Sequence, residues 1–359
     1  MRKIYIFHLL LLLGGISAQA QYSPKIDGST NSLLLSETRI DRPLLMHKNQ
    51  FQLNGGYKFA VNSGGFNNEG EMKNYQKMGL ASSENLFSLS GHYGLTDFLE
   101  FNFGLNYRST VQRKNDLLIA WPTTVPDLIH ITSVTELNAL KGFEDLDLGL
   151  GLKPWTRNTP FEIAFRFGAS LPTASSENPQ PQHKANIPDT LTTLLEYKYP
   201  GRFGKGMPFL KFGMDAKLRL SSVSFTMVAD ASRGLGESVY TDWQAQLSGS
   251  SFTYSRKDIP VRYADYYGVM ALFDVRVFSW FDVYGGYRFQ FSTGGWKEFD
   301  GVKFALPETS SSTAVLGFEI LTTTHLRILE HAELSLAGKN TDVQTGIYTS
   351  FSYNIFTRK

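Results

Sequence analysis

The 359-residue chain has no cysteine. That excludes disulfides, thiolate metal sites and a lipid-modified N-terminal cysteine. Past the N-terminus it has no apolar run of roughly 18 residues, so no transmembrane helix is expected. Sustained helical periodicity is missing as well. A dominant charge is also missing. There are 35 Lys and Arg against 33 Asp and Glu, and removing Arg2 and Lys3 with the leader brings the two into balance. This balance gives no electrostatic reason to expect nucleic acid as a partner.

Catalytic signatures are likewise absent. No G-x-S-x-G, no H-E-x-x-H, no calcium loop of the D-x-[DN]-x-[DN]-G type and no G-x-G-x-x-G ahead of a helix occurs. No catalytic residue, metal ligand or cofactor site is therefore assigned. Ser90 and His92 share a strand face, as do His331 and Glu333, and the Ser90–His92 pair is the one that a lipid-modifying enzyme would draw on. Same-face neighbours are common in sheets, and the pair is equally well read as wall polarity.

What the chain does have is alternation. Leu146, Leu148, Leu150 and Leu152 fall on every second position, and Phe161, Ile163, Phe165, Phe167, Ala169 and Leu171 resume the pattern after a turn at Pro154 and Pro160. Period two means strands with one apolar and one polar face. About 9–11 tilted residues of such a strand cross a bilayer. Twelve strands are expected: 50–61, 86–93, 98–107, 143–152, 161–171, 209–220, 223–231, 263–278, 281–291, 312–320, 324–336 and 344–356.

The connections sort by length. Those after strands 1, 3, 5, 7 and 9 are long, and those after the even strands are tight turns. The segment 337–343 departs from the trend. The stretches 108–142, 173–208 and 232–262 are expected as loops, and 173–208, which carries much of the proline, as irregular. Long connections at one end and short turns at the other are the pattern of outer-membrane barrels. A soluble sandwich has no reason to sort its loops so, and closure removes the sheet edges. Phe98, Trp155, Phe161, Phe278, Trp280 and Phe281 gather at the short turns, as one of two interfacial aromatic girdles would.

Residues 1–20 read as a signal peptide: Arg2 and Lys3, an apolar stretch from Ile4 to Leu13, then Ala18-Gln19-Ala20 as a cleavage site. Residues 21–49 show no period and read as a periplasmic segment or, alternatively, a plug. Residues 50–359 form the barrel: all-β, antiparallel, up-and-down, with long extracellular loops and short periplasmic turns.

If the apolar faces meet lipid, the opposite faces line a lumen. These carry Glu100, Asp145, Asp147, Lys153, Glu162, Arg166, Lys211, Asp215, Lys217, Arg219, Asp274, Arg276, Asp282, Arg288, Glu319, Arg327 and Glu333, nine acids and eight bases. Turning an Arg or Lys to the lipid midplane would cost roughly 2–4 kcal/mol each. A strongly ion-selective pore would show one sign. Near equality suggests ion pairs across the lumen, either as interior packing or as the lining of a polar path.

Three segments carry a family resemblance: Gly94-Leu95-Thr96-Asp97-Phe98-Leu99-Glu100, the stretch from Gly142 to Lys153, and Ser170-Leu171-Pro172-Thr173. They resemble the outer-membrane transporters of the phenol-degradation (meta-cleavage pathway) family, with its G-L-T-D turn, G-x-x-D-L-x-L-G-L-K strand and S-L-P-T strand end. Ala174 stands where the family has Gly. The many Asn- and Tyr-rich strands are also similar to outer-membrane proteins of Bacteroidota. The resemblance implies a transporter or channel for small molecules, hydrophobic ones included. Its partners would be outer-membrane lipid, a small solute and, during biogenesis, the barrel-assembly machinery. The alternative is a non-transporting scaffold barrel whose loops bind envelope components.

Overall fold

The computed structural model describes residues 44–46, 48–75, 80–122, 129–154, 160–174, 182–185, 192–200, 203–220, 222–248, 251–322 and 326–356. The expected signal peptide and most of 21–49 lie outside these residues, as does Trp155. Twelve strands build the wall: β1 (Gln50–Phe66), β2 (Leu80–Gly94), β3 (Leu99–Pro122), β4 (Leu146–Leu152), β5 (Phe161–Leu171), β6 (Phe209–Leu220), β7 (Val223–Gly234), β8 (Tyr266–Phe278), β9 (Phe281–Ser292), β10 (Thr309–Leu321), β11 (Leu326–Lys339) and β12 (Thr341–Phe356). Each pairs antiparallel with its sequence neighbour. β1 also pairs with β12 from Gln50↔Phe356 to Phe66↔Thr341, which closes the barrel.

The wall is inside out relative to a soluble protein. On β1, Leu53, Tyr57 and Phe59 are exposed, while Gln52, Asn54 and Lys58 are buried. On β6, Leu210, Phe212 and Met214 are exposed, and Asp215 and Lys217 are buried. Such a surface is stable only against hydrocarbon, and closure pairs the two edge strands of the wall with each other.

Aromatic rings mark both ends of the apolar band. At the short turns Phe278 stacks on Trp280 at 5.6 Å and Phe281 meets Phe318 at 5.9 Å. Toward the other end, Tyr57, Phe87, Tyr107 and Phe143 are register partners across four strands, with successive centroids 4.9, 6.4 and 5.2 Å apart.

Several strands run beyond their expected ends, and the expected loops hold further strands. Residues 108–142 are not a loop: β3 continues to Pro122 and pairs with Ile129–Phe143. The segment 173–208, expected as irregular, contains Gln182–Ala185 paired with Thr192–Pro200. The segment 232–262 holds the hairpin Ser238–Ser248 with Ser251–Arg262, which joins Trp296–Phe299 and Val302–Ala305 in a separate four-stranded sheet. The expected loop 337–343 shrinks to Asn340, in the left-handed region at φ 50°. Beyond the membrane a strand needs no apolar face. It still satisfies its backbone by pairing, but the alternation that betrays a strand is lost.

Candidate functional site

The inner wall is the candidate site, and the alternation of β1–β12 places its side chains. Glu100, Asp145, Asp147, Lys153, Glu162, Asp215, Lys217, Asp274, Asp282, Arg288, Glu319 and Glu333 are buried. Arg166, Lys211, Arg219, Arg276 and Arg327 are partly buried on the same inner faces.

Their partners follow from register. Glu162 receives Lys153 Nζ at 3.1 Å and Arg219 Nη2 at 2.9 Å. Arg166 pairs with Asp215, and Lys211 reaches Asp147 at 2.6 Å. Arg276 meets its register partner Asp282 at 3.1 Å, and Arg327 meets Glu319 at 3.2 Å. Asp274 accepts from Ser224 Oγ at 3.0 Å and feels the charge of Lys217. Glu333 holds two cations, Lys58 Nζ at 2.7 Å and the Arg288 guanidinium. Asp145 does not form an ion pair of this kind. It accepts the backbone N–H groups of Lys205 at 2.9 Å and Ala174 at 3.1 Å, and so ties down both ends of the 173–208 segment.

One expectation is corrected here. The described pairs do not run across the lumen. Each ion pair described between wall strands joins positions one or two strands apart. Adjacent inward Cβ atoms lie about 5 Å apart, and a long Arg or Lys reaches one strand further. Pairing along the wall neutralises the lining without bridging the bore.

The bore is not empty, however. Val228, Met270, Leu272, Tyr284, Val315, Leu329 and Tyr348 form an apolar cluster on the inner face of β7–β12. His331 lies beside it, with Nδ1 3.1 Å from Tyr284 Oη and its ring stacked on Tyr348 at 4.9 Å.

At the short-turn end the N-terminal strap Leu44-Leu45-Met46 enters the barrel. Leu44 and Leu45 are 1% and 2% exposed and pack on Ala164. Leu44 N–H donates to Glu162 Oε2 at 3.2 Å, and Met46 N–H donates to Glu100 Oε2 at 2.6 Å. Gly151 makes room, since a Cβ there would lie 2.5 Å from Leu45 Cδ2.

The sequence reading does not single out Lys58, Tyr284 or Tyr348, and it marks His331 only as a same-face neighbour of Glu333. Lys58 was within reach of the argument, because Tyr57 and Phe59 flank it on the lipid face. The strap left no periodic trace. As for the Ser90–His92 pair, Ser90 Oγ accepts from Asn54 Nδ2 at 3.3 Å, and His92 Nδ1 lies 2.8 Å from Glu100 Oε1. Both side chains are buried inside the wall, away from lipid.

No family model and no curated protein matches the chain. Among solved structures, an outer membrane channel from Pseudomonas putida F1 superposes with a TM-score of 0.56 at 14% identity, over 86% of this chain and 97% of that one. The chain has the fold of an outer-membrane channel. At that identity the likeness speaks for the barrel and not for its cargo. The Pseudomonas putida toluene transporter TodX matches at TM-score 0.43 and 10% identity, over 94% and 95% of the two chains, and a Pseudomonas aeruginosa FadL homologue at 0.37 and 10%, over 87% and 91%. Those two likenesses are too loose to argue from. These Pseudomonas structures lend the Bacteroidota resemblance no support.

Proposed function

We propose that this outer-membrane barrel conducts small, net-uncharged molecules through its lumen, with the 21–49 segment as a plug at the periplasmic mouth. The observation that carries the reading is the pairing of charge along the wall. It yields a lining with no dominant sign and a bore that none of the described ion pairs spans. Balanced charge disfavours ion selectivity, and the apolar cluster on β7–β12 offers contact to the apolar part of a solute. Lipid at the outer face and the assembly machinery during biogenesis complete the proposed partners. No catalytic role is proposed.

A second reading is favoured by the packing. Met270 and Leu272 are each 1% exposed, and the strap fills the short-turn end. A sealed barrel serving as a scaffold for envelope partners would look similar. Conductance of the purified protein in a planar bilayer, with and without residues 21–46, separates the two. The channel reading expects small or intermittent conductance in the intact protein and larger, steady conductance after deletion. Silence from both would favour the scaffold.

A further inference from the structure

The inner wall divides into two chemistries. From β3 to β11 it is dominated by paired charges. Along β12, β1 and β2 toward the short-turn end it is neutral: Gln52, Asn54, Ser90, Ser350 and Asn354 are all buried on inward positions. Gln52 Nε2 donates to Asn354 Oδ1 at 2.8 Å, and Asn54 Nδ2 donates to Ser90 Oγ at 3.3 Å. These bonds fix which end of each amide is used and which is left over.

What remains is a set of buried polar atoms without a hydrogen-bond partner: Gln52 Oε1, Asn54 Oδ1 and His92 Nε2. Their side chains are 1%, 8% and 0% exposed. They are neighbours, because Gln52 and His92 are register partners across β1 and β2, and Asn54 is the next inward residue on β1. His92 Nδ1 is engaged by Glu100, so in the neutral ring the proton sits on Nδ1 and Nε2 is an acceptor. Three acceptors thus converge on one patch of wall. A buried polar group without a partner is costly, and native structures rarely keep three together for no purpose.

We infer that Gln52, Asn54 and His92 form a binding station for an uncharged solute bearing several hydroxyl donors. The inference deepens the channel reading above and rests on it. Inward residues on one strand repeat every two positions, about 6.6 Å, which suits hydroxyls spread over a short polyol or a small ring. Charged groups suit the patch less well: it offers no counter-ion of its own, and the nearest carboxylate, Glu100, is already bound by His92 and by Met46 N–H. The same Glu100 ties the station to the strap, so a solute seated at Gln52 and His92 borders the segment that must move to let it out.

The test uses the full-length protein in planar bilayers and xylitol as the probe. Potassium chloride current is recorded as xylitol is added, and glycine betaine, which has no hydroxyl, serves as the control solute. Xylitol is expected to reduce the current saturably, and betaine is not. The double variant Gln52→Leu/Asn54→Leu is expected to weaken the xylitol effect at least tenfold while leaving the open-channel current in place. Asn54→Ser, which keeps a hydroxyl acceptor and demands less repacking, is expected to retain part of it and guards against a folding failure of the double variant. Equal responses to xylitol and betaine, or variants that respond like the wild type, would overturn the station and leave the channel reading intact. Absence of current from wild type and strap-deleted protein alike would overturn the channel reading and the station with it.

Discussion

Glu333 shows how much a single residue carries. It faces Lys58 from β1 and Arg288 from β9, and all three side chains are about 95% buried. Replacing it by Ala leaves two cations unpaired in the wall. Removing one partner of a buried pair costs about 3–5 kcal/mol, so Glu333→Ala is expected to lower barrel stability by at least that amount, read as a shifted urea midpoint in lipid vesicles. An unchanged midpoint would mean that water reaches both cations. The identity of such inward charges was legible in the sequence, because alternation alone puts a charged residue opposite a lipid-facing Phe or Leu. Their partners were not. Lys58 and Glu333 are 275 positions apart, and only barrel closure through β12 makes them neighbours. The three unpartnered acceptors were equally invisible, since an amide looks the same in sequence whether or not its oxygen is satisfied.

Among the strands, β4 illustrates why the membrane part was easy to read. Leu150 is 45% exposed on the outer face, while Gly149 and Gly151 face inward. Leu150→Arg is expected to destabilise the barrel by roughly 2–4 kcal/mol if it sits near the bilayer midplane, whereas Gly213→Ser, inward on β6 where a Cβ would find its nearest atom at 3.4 Å, would be tolerated. Equal tolerance at both positions would contradict the assignment of faces. The extracellular hairpins read as loops because no lipid imposes a period on them, although Ile259 and Val261 are buried at their base. Their order rests on polar contacts such as Asp258, which accepts from Arg256 at 3.0 Å and Thr241 at 2.9 Å. The hydrogen bond from Arg256, then that from Thr241, hold its carboxyl below the usual Asp range. With a folded value below the unfolded one, its contribution is full above the ordinary Asp range and is lost as pH falls through the lowered value. A carboxyl NMR titration should therefore find the Asp258 midpoint below that of a free Asp, and Arg256→Ala should raise it. A midpoint that does not move would remove Arg256 as the cause.

At the scale of the molecule, the sorting of long and short connections was enough to infer a closed barrel with an even number of strands, because only a membrane imposes that asymmetry. Whether the lumen is a path could not be read there. The strap that enters it has neither a strand nor a helix period, and its anchors are backbone N–H groups, which every residue but proline possesses. The central claim is that solute crosses through the lumen and not beside it. The chain has no cysteine, so one introduced thiol is a unique handle. Gly213 faces inward beside Arg166, and a Cβ there would find its nearest atom at 3.4 Å, an ordinary contact. In Gly213→Cys protein lacking residues 21–46, reaction with a bulky thiol reagent should abolish most of the bilayer current, while the outward Ala229→Cys control should be unaffected. Current that persists after complete labelling at position 213 would contradict a route through the lumen.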